Sequence, residues 1–174
     1  MNGPVNETQR ENEGPRSVKS ILFICTGNIF RSMTAEHAFR AQINPGEELV
    51  VSSAGTKANP MEMYEAVRLR LIDLGIDPSA HKQRKLTQGL LDGADLSIAM
   101  SLDHQVFVRE QFDREIPLFN RVCYGRDEAL LDLGESLTNW QDDRAAADTY
   151  VRQMVDTIWD GMPSFKANMD QFWR

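Results

Sequence analysis

Apolar residues in this chain recur with two periods, one suited to buried strands and one to helices. Ile21-Leu22-Phe23-Ile24 is a short unbroken apolar run, which predicts a strand buried on both faces. It ends in Cys25. After a loop containing Gly27, a helical pattern opens at Arg31-Ser32 and runs through Ala35, Ala38 and Phe39. Asn44-Pro45-Gly46 marks a break, and Leu49-Val50-Val51-Ser52 predicts a second strand. Met63, Val67, Leu71 and Leu74 follow helical spacing, with Gly75 as the stop. Ala94 to Met100 reads as a third strand, followed by a helix through Val106, Val108 and Phe112 with Asp103 at its dipole-favoured end. Ile116-Pro117-Leu118-Phe119 reads as a fourth strand at a sheet edge, where proline is tolerated.

The remainder is less regular. Gly125, Asp127, Asp132, Gly134 and Asn139 punctuate residues 120–143, which read as a long surface loop with a short helical piece and with Cys123 in a loop or turn. Tyr150, Val151, Met154, Val155, Ile158 and Met162 form the stripe of a last helix, which Gly161-Met162-Pro163 is expected to break. Phe165, Met169, Phe172 and Trp173 suggest a final amphipathic turn. Strands alternating with helices predict an α/β doubly wound sheet of four parallel strands with helices on both faces. The loop after the first strand then lies at the carboxyl end of the sheet, where open α/β sheets place ligands.

Residues 1–17 carry almost no aliphatic side chains and read as a flexible N-terminal tail, leaving 18–174 as a single domain. A chain of 174 residues with 41% hydrophobic content suits one full core. The formal net charge of −7 argues against general affinity for nucleic acid or anionic membranes, so anion binding must come from a local pocket. The two cysteines form no disulfide framework, which points to a reducing, cytoplasmic setting. No apolar run approaches the ~18–20 residues that span a bilayer, and the N-terminus does not read as a signal peptide. The three histidines show no ligand spacing, and no metal or cofactor is expected.

The candidate chemistry sits at Cys25-Thr26-Gly27-Asn28-Ile29-Phe30-Arg31-Ser32. A strand–loop–helix unit aims backbone N–H groups and the positive end of a helix dipole at one point. Arg31 adds a fork of donors matching phosphate geometry. The field that holds a phosphate also favours a thiolate nucleophile.

Cys-x-Gly-Asn-x-x-Arg-Ser resembles the phosphate-binding loop of the low-molecular-weight protein tyrosine phosphatases, a family shared with thioredoxin-coupled arsenate reductases. The resemblance covers about residues 18–162 and includes Ser53-Ala54-Gly55-Thr56, where it implies that Ser53 supports the loop by hydrogen bonding to Asn28. It implies Cys25 as nucleophile, Arg31 as phosphate and transition-state ligand, and Ser32 as a group favouring the thiolate. Thr26, Gly27, Asn28, Ile29 and Phe30 become the substrate cradle. His81, in a segment that also resembles the family, is expected to make a structural hydrogen bond.

Three departures stand out. Many members carry an aromatic wall soon after the second motif, where this chain has Lys57-Ala58-Asn59-Pro60. Many carry a second cysteine where this chain has Phe30. The family's general acid is an aspartate followed by proline and aromatics, and this chain has no Asp-Pro. Counting back from the last stripe lands on Asp142 or Asp143. Asp142 is the choice, with Arg144 in an aromatic's place; a helix cap, Asp148 and Asp132 are the other readings of the region.

The implied function is a protein tyrosine phosphatase that hydrolyses phosphotyrosine proteins or small phosphate monoesters through a cysteinyl-phosphate. Two alternatives stay open. One is arsenate reduction coupled to a small thiol, since the further cysteines of the thioredoxin-coupled branch are missing. The other is a phosphate-binding module with little turnover.

Overall fold

The computed structural model describes residues 18–174, so the expected tail at 1–17 lies outside the described residues. Strand β1 (Lys19–Cys25) leads through the Cys25–Arg31 loop into α1 (Arg31–Ala41), followed by β2 (Leu49–Gly55) and α2 (Glu65–Asp73). Then come α3 (Gln88–Asp92), β3 (Leu96–Ala99), α4 (Leu102–Phe112), α5 (Phe119–Tyr124), α6 (Leu133–Ser136) and α7 (Arg144–Asn168). A short 3₁₀ turn, Met169–Gln171, ends the elements.

Both neighbours of β1 run parallel to it, in the order β2-β1-β3. Cys25 lies opposite Gly55, which brings the ends of β1 and β2 together beneath the loop. Successive β1 side chains serve opposite faces. Ile21, Phe23 and Cys25 pack with Phe39 of α1, Phe119 of α5 and Ile158 and Phe165 of α7. Leu22 and Ile24 pack on the other face with Leu91, Val108 and Leu118. A third cluster joins Met33 to Val67 and Leu71 of α2 and Val151 and Val155 of α7. β1 is thus buried on both faces, as its unbroken apolar run predicts.

Three expectations need correction. The four-stranded sheet has three strands among the described residues, and the expected fourth at Ile116–Phe119 is a single bridge between Ala99 and Leu118. Ala99 N donates to Pro117 O at 2.9 Å, but Pro117 has no N–H to return to a ladder and Phe119 already starts α5. Cys123 lies in α5 rather than in a loop. Finally, α7 continues through Pro163 to Asn168. Proline leaves the carbonyl four residues back without its helical donor. That carbonyl belongs to Trp159, and Gln42 Nε2 donates to it at 3.3 Å. Continuation also buries Phe165, which stacks on Phe119 with ring centroids 5.6 Å apart.

Candidate active site

The loop after β1 is held in shape by bonds made almost wholly behind it. Asn28 is fully buried with φ of 57°, in the left-handed region that asparagine tolerates better than most residues. Its Oδ1 accepts from Arg84 N at 2.9 Å, which fixes which way the amide faces. Its Nδ2 donates to Ser53 Oγ at 2.7 Å and to Ser32 Oγ at 3.1 Å. The Asn28–Ser53 bond implied by the resemblance is therefore present. Ser53 Oγ in turn donates a hydrogen bond to Glu36 on α1, whose carboxylate also meets Arg40 Nη1 at 2.6 Å. Because Ser32 Oγ already accepts from Asn28, its proton is free to point at Cys25 Sγ, 2.9 Å away. Asn28 N donates to the same sulfur at 3.3 Å. Cys25 Sγ thus faces two hydrogen-bonding groups from the loop and the first turn of α1.

Further supports come from the rim of the loop. His81 Nε2 bonds Asn28 O at 2.7 Å, the structural role expected of it. Gln83 Nε2 donates to Gly27 O at 2.7 Å. Gly55 has to be glycine: a Cβ there would lie 2.5 Å from Thr26 O and 3.0 Å from Asn28 N, both backbone atoms. On the opposite side the buried His104 closes the N-terminal turn of α4. Ser101 N donates to its Nδ1 at 3.1 Å, so the proton sits on Nε2, which donates to Thr26 Oγ1 at 2.9 Å. Burial, then the Arg31 guanidinium, pushes the His104 imidazolium down to about 4, against the opposing pull of Asp103 and Asp132.

Arg31 is 2% exposed, and both of its terminal nitrogens are partnered. Its Nη1 donates to Leu130 O at 2.7 Å and to Ser101 Oγ at 3.4 Å, and its Nη2 lies 3.0 Å from Asp132 Oδ2. Its buried Nε has no partner among the described residues.

A pocket of about 430 Å³ opens over this loop. Cys25, Thr26, Gly27, Ile29, Phe30 and Arg31 form its floor, while Asn28, Ser32 and Ser53 lie behind it. Met61, Tyr64, Leu133, Trp140 and Val151 form its walls, and Lys57, Glu62 and Asp132 join Arg31 as the charged members of the lining. Asp142 is exposed in the turn before α7, outside this lining, and Asp143 caps α7 by accepting from Ala146 N at 3.0 Å. The pocket-lining carboxylate that pairs with Arg31 on the floor is Asp132. Counting back from the last helix lands on Asp142, which stands clear of the pocket because α6 and a further turn intervene between Asp132 and α7. One signal was legible: Asp132-x-x-Glu135 has the form of a capping box, and Asp132 does start α6 that way.

The walls also differ from the expectation of missing aromatics. Tyr64 and Trp140 supply two rings, neither of them at residues 57–60 or at Arg144, where the resemblance implies an aromatic. Arg144 does not line the pocket; it lies over the Tyr64 ring at 5.9 Å, while Tyr64 Oη donates to Asp148 at 2.7 Å.

Comparison with known proteins agrees with this geometry. Residues 20–142 match the family model of the low molecular weight phosphotyrosine protein phosphatases. A protein-arginine-phosphatase of Bacillus subtilis (strain 168) is 30% identical over 148 residues, 79% of this chain and 95% of that protein. The low molecular weight protein-tyrosine-phosphatase Ptp of Acinetobacter johnsonii is 36% identical over 95 residues, 53% of this chain and 63% of that protein. Among solved structures, the YwlE arginine phosphatase from Geobacillus stearothermophilus superposes with a TM-score of 0.72 at 23% identity, covering 88% of this chain and 94% of that one. A strand-borne cysteine, an arginine at the mouth of the following helix and the serine–asparagine brace behind them, together with these matches, place the chain in the low molecular weight phosphotyrosine protein phosphatase family.

Proposed function

We propose that this protein hydrolyses phosphotyrosine and related aryl phosphate monoesters through a phosphocysteine at Cys25. The observation that carries the reading is that Cys25 Sγ, faced by Asn28 N and Ser32 Oγ, shares one pocket with the guanidinium of Arg31 and the rings of Tyr64 and Trp140. The thiolate attacks phosphorus as the bond to the phenolic oxygen breaks. Arg31 and the loop N–H groups take the charge on the three non-bridging oxygens, where most of the catalysis of a loose phosphoryl transfer resides. The unpartnered Nε of Arg31 is one such donor. A phosphate seated on Arg31 draws that guanidinium away from Asp132, whose protonated carboxyl gives its proton to the leaving oxygen. Water then attacks the phosphocysteine and returns a proton to Asp132. Ser32 donates to sulfur as the S–P bond breaks, and inorganic phosphate leaves.

The walls favour an aromatic leaving group. Apolar and aromatic side chains outnumber charged ones around the pocket, and a phenyl ring buries well there. A thiol nucleophile is kept reduced in a compartment such as the cytoplasm, which supports that setting for the activity. No helix among the described residues is long and apolar enough to cross a membrane.

The test compares turnover of phosphotyrosine peptides, a simple aryl phosphate, phosphoarginine, and arsenate with small thiols. Acid quenching and mass spectrometry look for phosphate on the Cys25 peptide. Preferential aryl phosphate turnover with phosphate on Cys25 is the expected result. Faster phosphoarginine hydrolysis, arsenate reduction without phosphatase activity, or stoichiometric binding without turnover would overturn the reading.

A further inference from the structure

Three successive residues before α6 are each tied to a different partner. Leu130 N donates to Met100 O at 2.9 Å, and Leu130 O accepts from Arg31. Leu131 O accepts from the Tyr150 hydroxyl at 2.6 Å. Asp132 N donates to Glu135 Oε2 at 2.6 Å, closing the cap of α6. The middle tie comes from α7, and it is double: the Tyr150 hydroxyl also accepts from Ser136 Oγ at 2.8 Å. One oxygen therefore grips the chain immediately before Asp132 and again at the end of α6. The Tyr150 ring is packed against the core clusters on both flanks of α7, so that oxygen is held by the body of the domain. Without it, the four-residue α6 and Asp132 are tied by the helix cap, the Leu130 bonds and the Arg31 ion pair, with no hydrogen bond to α7 at this turn.

We propose that Tyr150 is a positioning residue for proton transfer, its hydroxyl clamping Leu131 and Ser136 so that the Asp132 carboxyl faces the leaving group over Cys25. The inference rests on the reading of Asp132 as the proton donor. Misplacement of a reacting group by about 1 Å can cost ~10²-fold in rate, and the loss falls on the step that needs the proton. Good leaving groups depart without much help, whereas poor ones depend on the acid.

The experiment measures kcat/KM across aryl phosphates of graded leaving-group pKa for wild type, Tyr150→Phe, Ser136→Ala, Asp132→Asn and the double variant Tyr150→Phe/Asp132→Asn. Unfolding midpoints report whether each variant is folded. The wild type should show little dependence on leaving group, and Asp132→Asn a steep one. Tyr150→Phe should steepen the dependence in the same direction, with about 10- to 100-fold loss on the poorest leaving groups. Ser136→Ala should act likewise but less. In the Asp132→Asn background, Tyr150→Phe should change nothing further, because its effect runs through that carboxyl. A flat dependence in Asp132→Asn would overturn the role of Asp132 and the proposal with it. A steep Asp132→Asn beside a Tyr150→Phe that lowers all substrates equally, or none, would overturn the Tyr150 proposal alone. If Tyr150→Phe fails to fold, Ser136→Ala decides, and an unchanged dependence there counts against it.

Discussion

Arg31 Nη2 lies 3.0 Å from the carboxylate of Asp132, joining the guanidinium at the loop's end to an acid more than a hundred residues later in the chain. The pair brings a guanidinium and a carboxylate to one edge of the pocket, the placement on which the proposed proton transfer depends. Asp132→Asn should lower turnover of poor leaving groups by about 10²–10⁴-fold. Asp142→Asn should leave it unchanged, since that residue is exposed outside the pocket lining. Steady-state kinetics with a high-pKa phenol ester decides between them, and a loss confined to Asp142→Asn would restore the assignment made by counting.

Trp140 and Tyr64 both line the pocket, where the proposed reading seats an aryl phosphate. A ring pair is worth about 0.5–1.5 kcal/mol beyond its buried area. Trp140→Ala should therefore raise KM for aryl phosphates roughly 2- to 10-fold with kcat little altered. Asn59→Ala, at a position off the lining, should not. A kcat effect from Trp140→Ala larger than its KM effect would mean that the ring orders the α6 turn rather than the substrate.

Gly55 faces the backbone of the loop at distances that no Cβ can share. Gly55→Ala must push Thr26 and Asn28 outward. Overpacking of this kind costs about 1–3 kcal/mol, and activity should fall more than stability does. Urea unfolding beside aryl phosphate turnover measures both, and a stable, fully active variant would show that the loop can move without loss.

His104 is buried neutral, its folded value near 4 lying below the ordinary 6.5. As pH falls through 6.5 the unfolded chain takes up this proton first, so stability declines from pH 6.5 towards 4 and the contribution is whole above that window. One unit is worth about 1.4 kcal/mol, giving a total on the order of 3 kcal/mol. His37, also lowered mainly by burial, acts in the same direction. Stability curves of wild type and His104→Asn between pH 4 and 7 should diverge in slope by nearly one proton; parallel curves would show that His104 titrates freely.

Peroxide should inactivate the protein without easy recovery. Cys25 lines the pocket, whereas Cys123 is buried in α5 against Gly161 O and burial pushes its thiol up to about 12, far from any thiolate. Phe30 offers no resolving thiol, so a sulfenic acid at Cys25 proceeds to irreversible states when no external thiol is present. Timed peroxide exposure followed by a dithiol reductant should recover little activity in wild type and much more in Phe30→Cys. A Cys25–Cys123 disulfide by mass spectrometry would contradict the burial of Cys123.

The residues that carry chemistry by local geometry were legible in the chain itself. Ile21 to Cys25, the glycine-bearing loop and Arg31-Ser32 lie within one strand–loop–helix unit, and such a unit dictates its own anion site through short-range backbone geometry. The brace from Ser53 to Asn28 was legible too, through its motif at the end of the neighbouring strand. Groups that meet the site only through long-range packing were not. Asp132, Tyr64 and Trp140 reach the pocket because α2 and the α6 turn pack against α7, and no period in the sequence records which side of a turn will face a loop far away in the chain. The same holds for Pro163, read as a break because proline removes a helical donor. The tertiary structure keeps α7 intact there because Gln42, on another element's end, supplies the missing hydrogen bond to Trp159 O. At Ile116–Phe119 the competition went the other way: strand-like residues were taken by α5 and by a proline without an N–H, leaving one bridge where pattern alone predicts a strand.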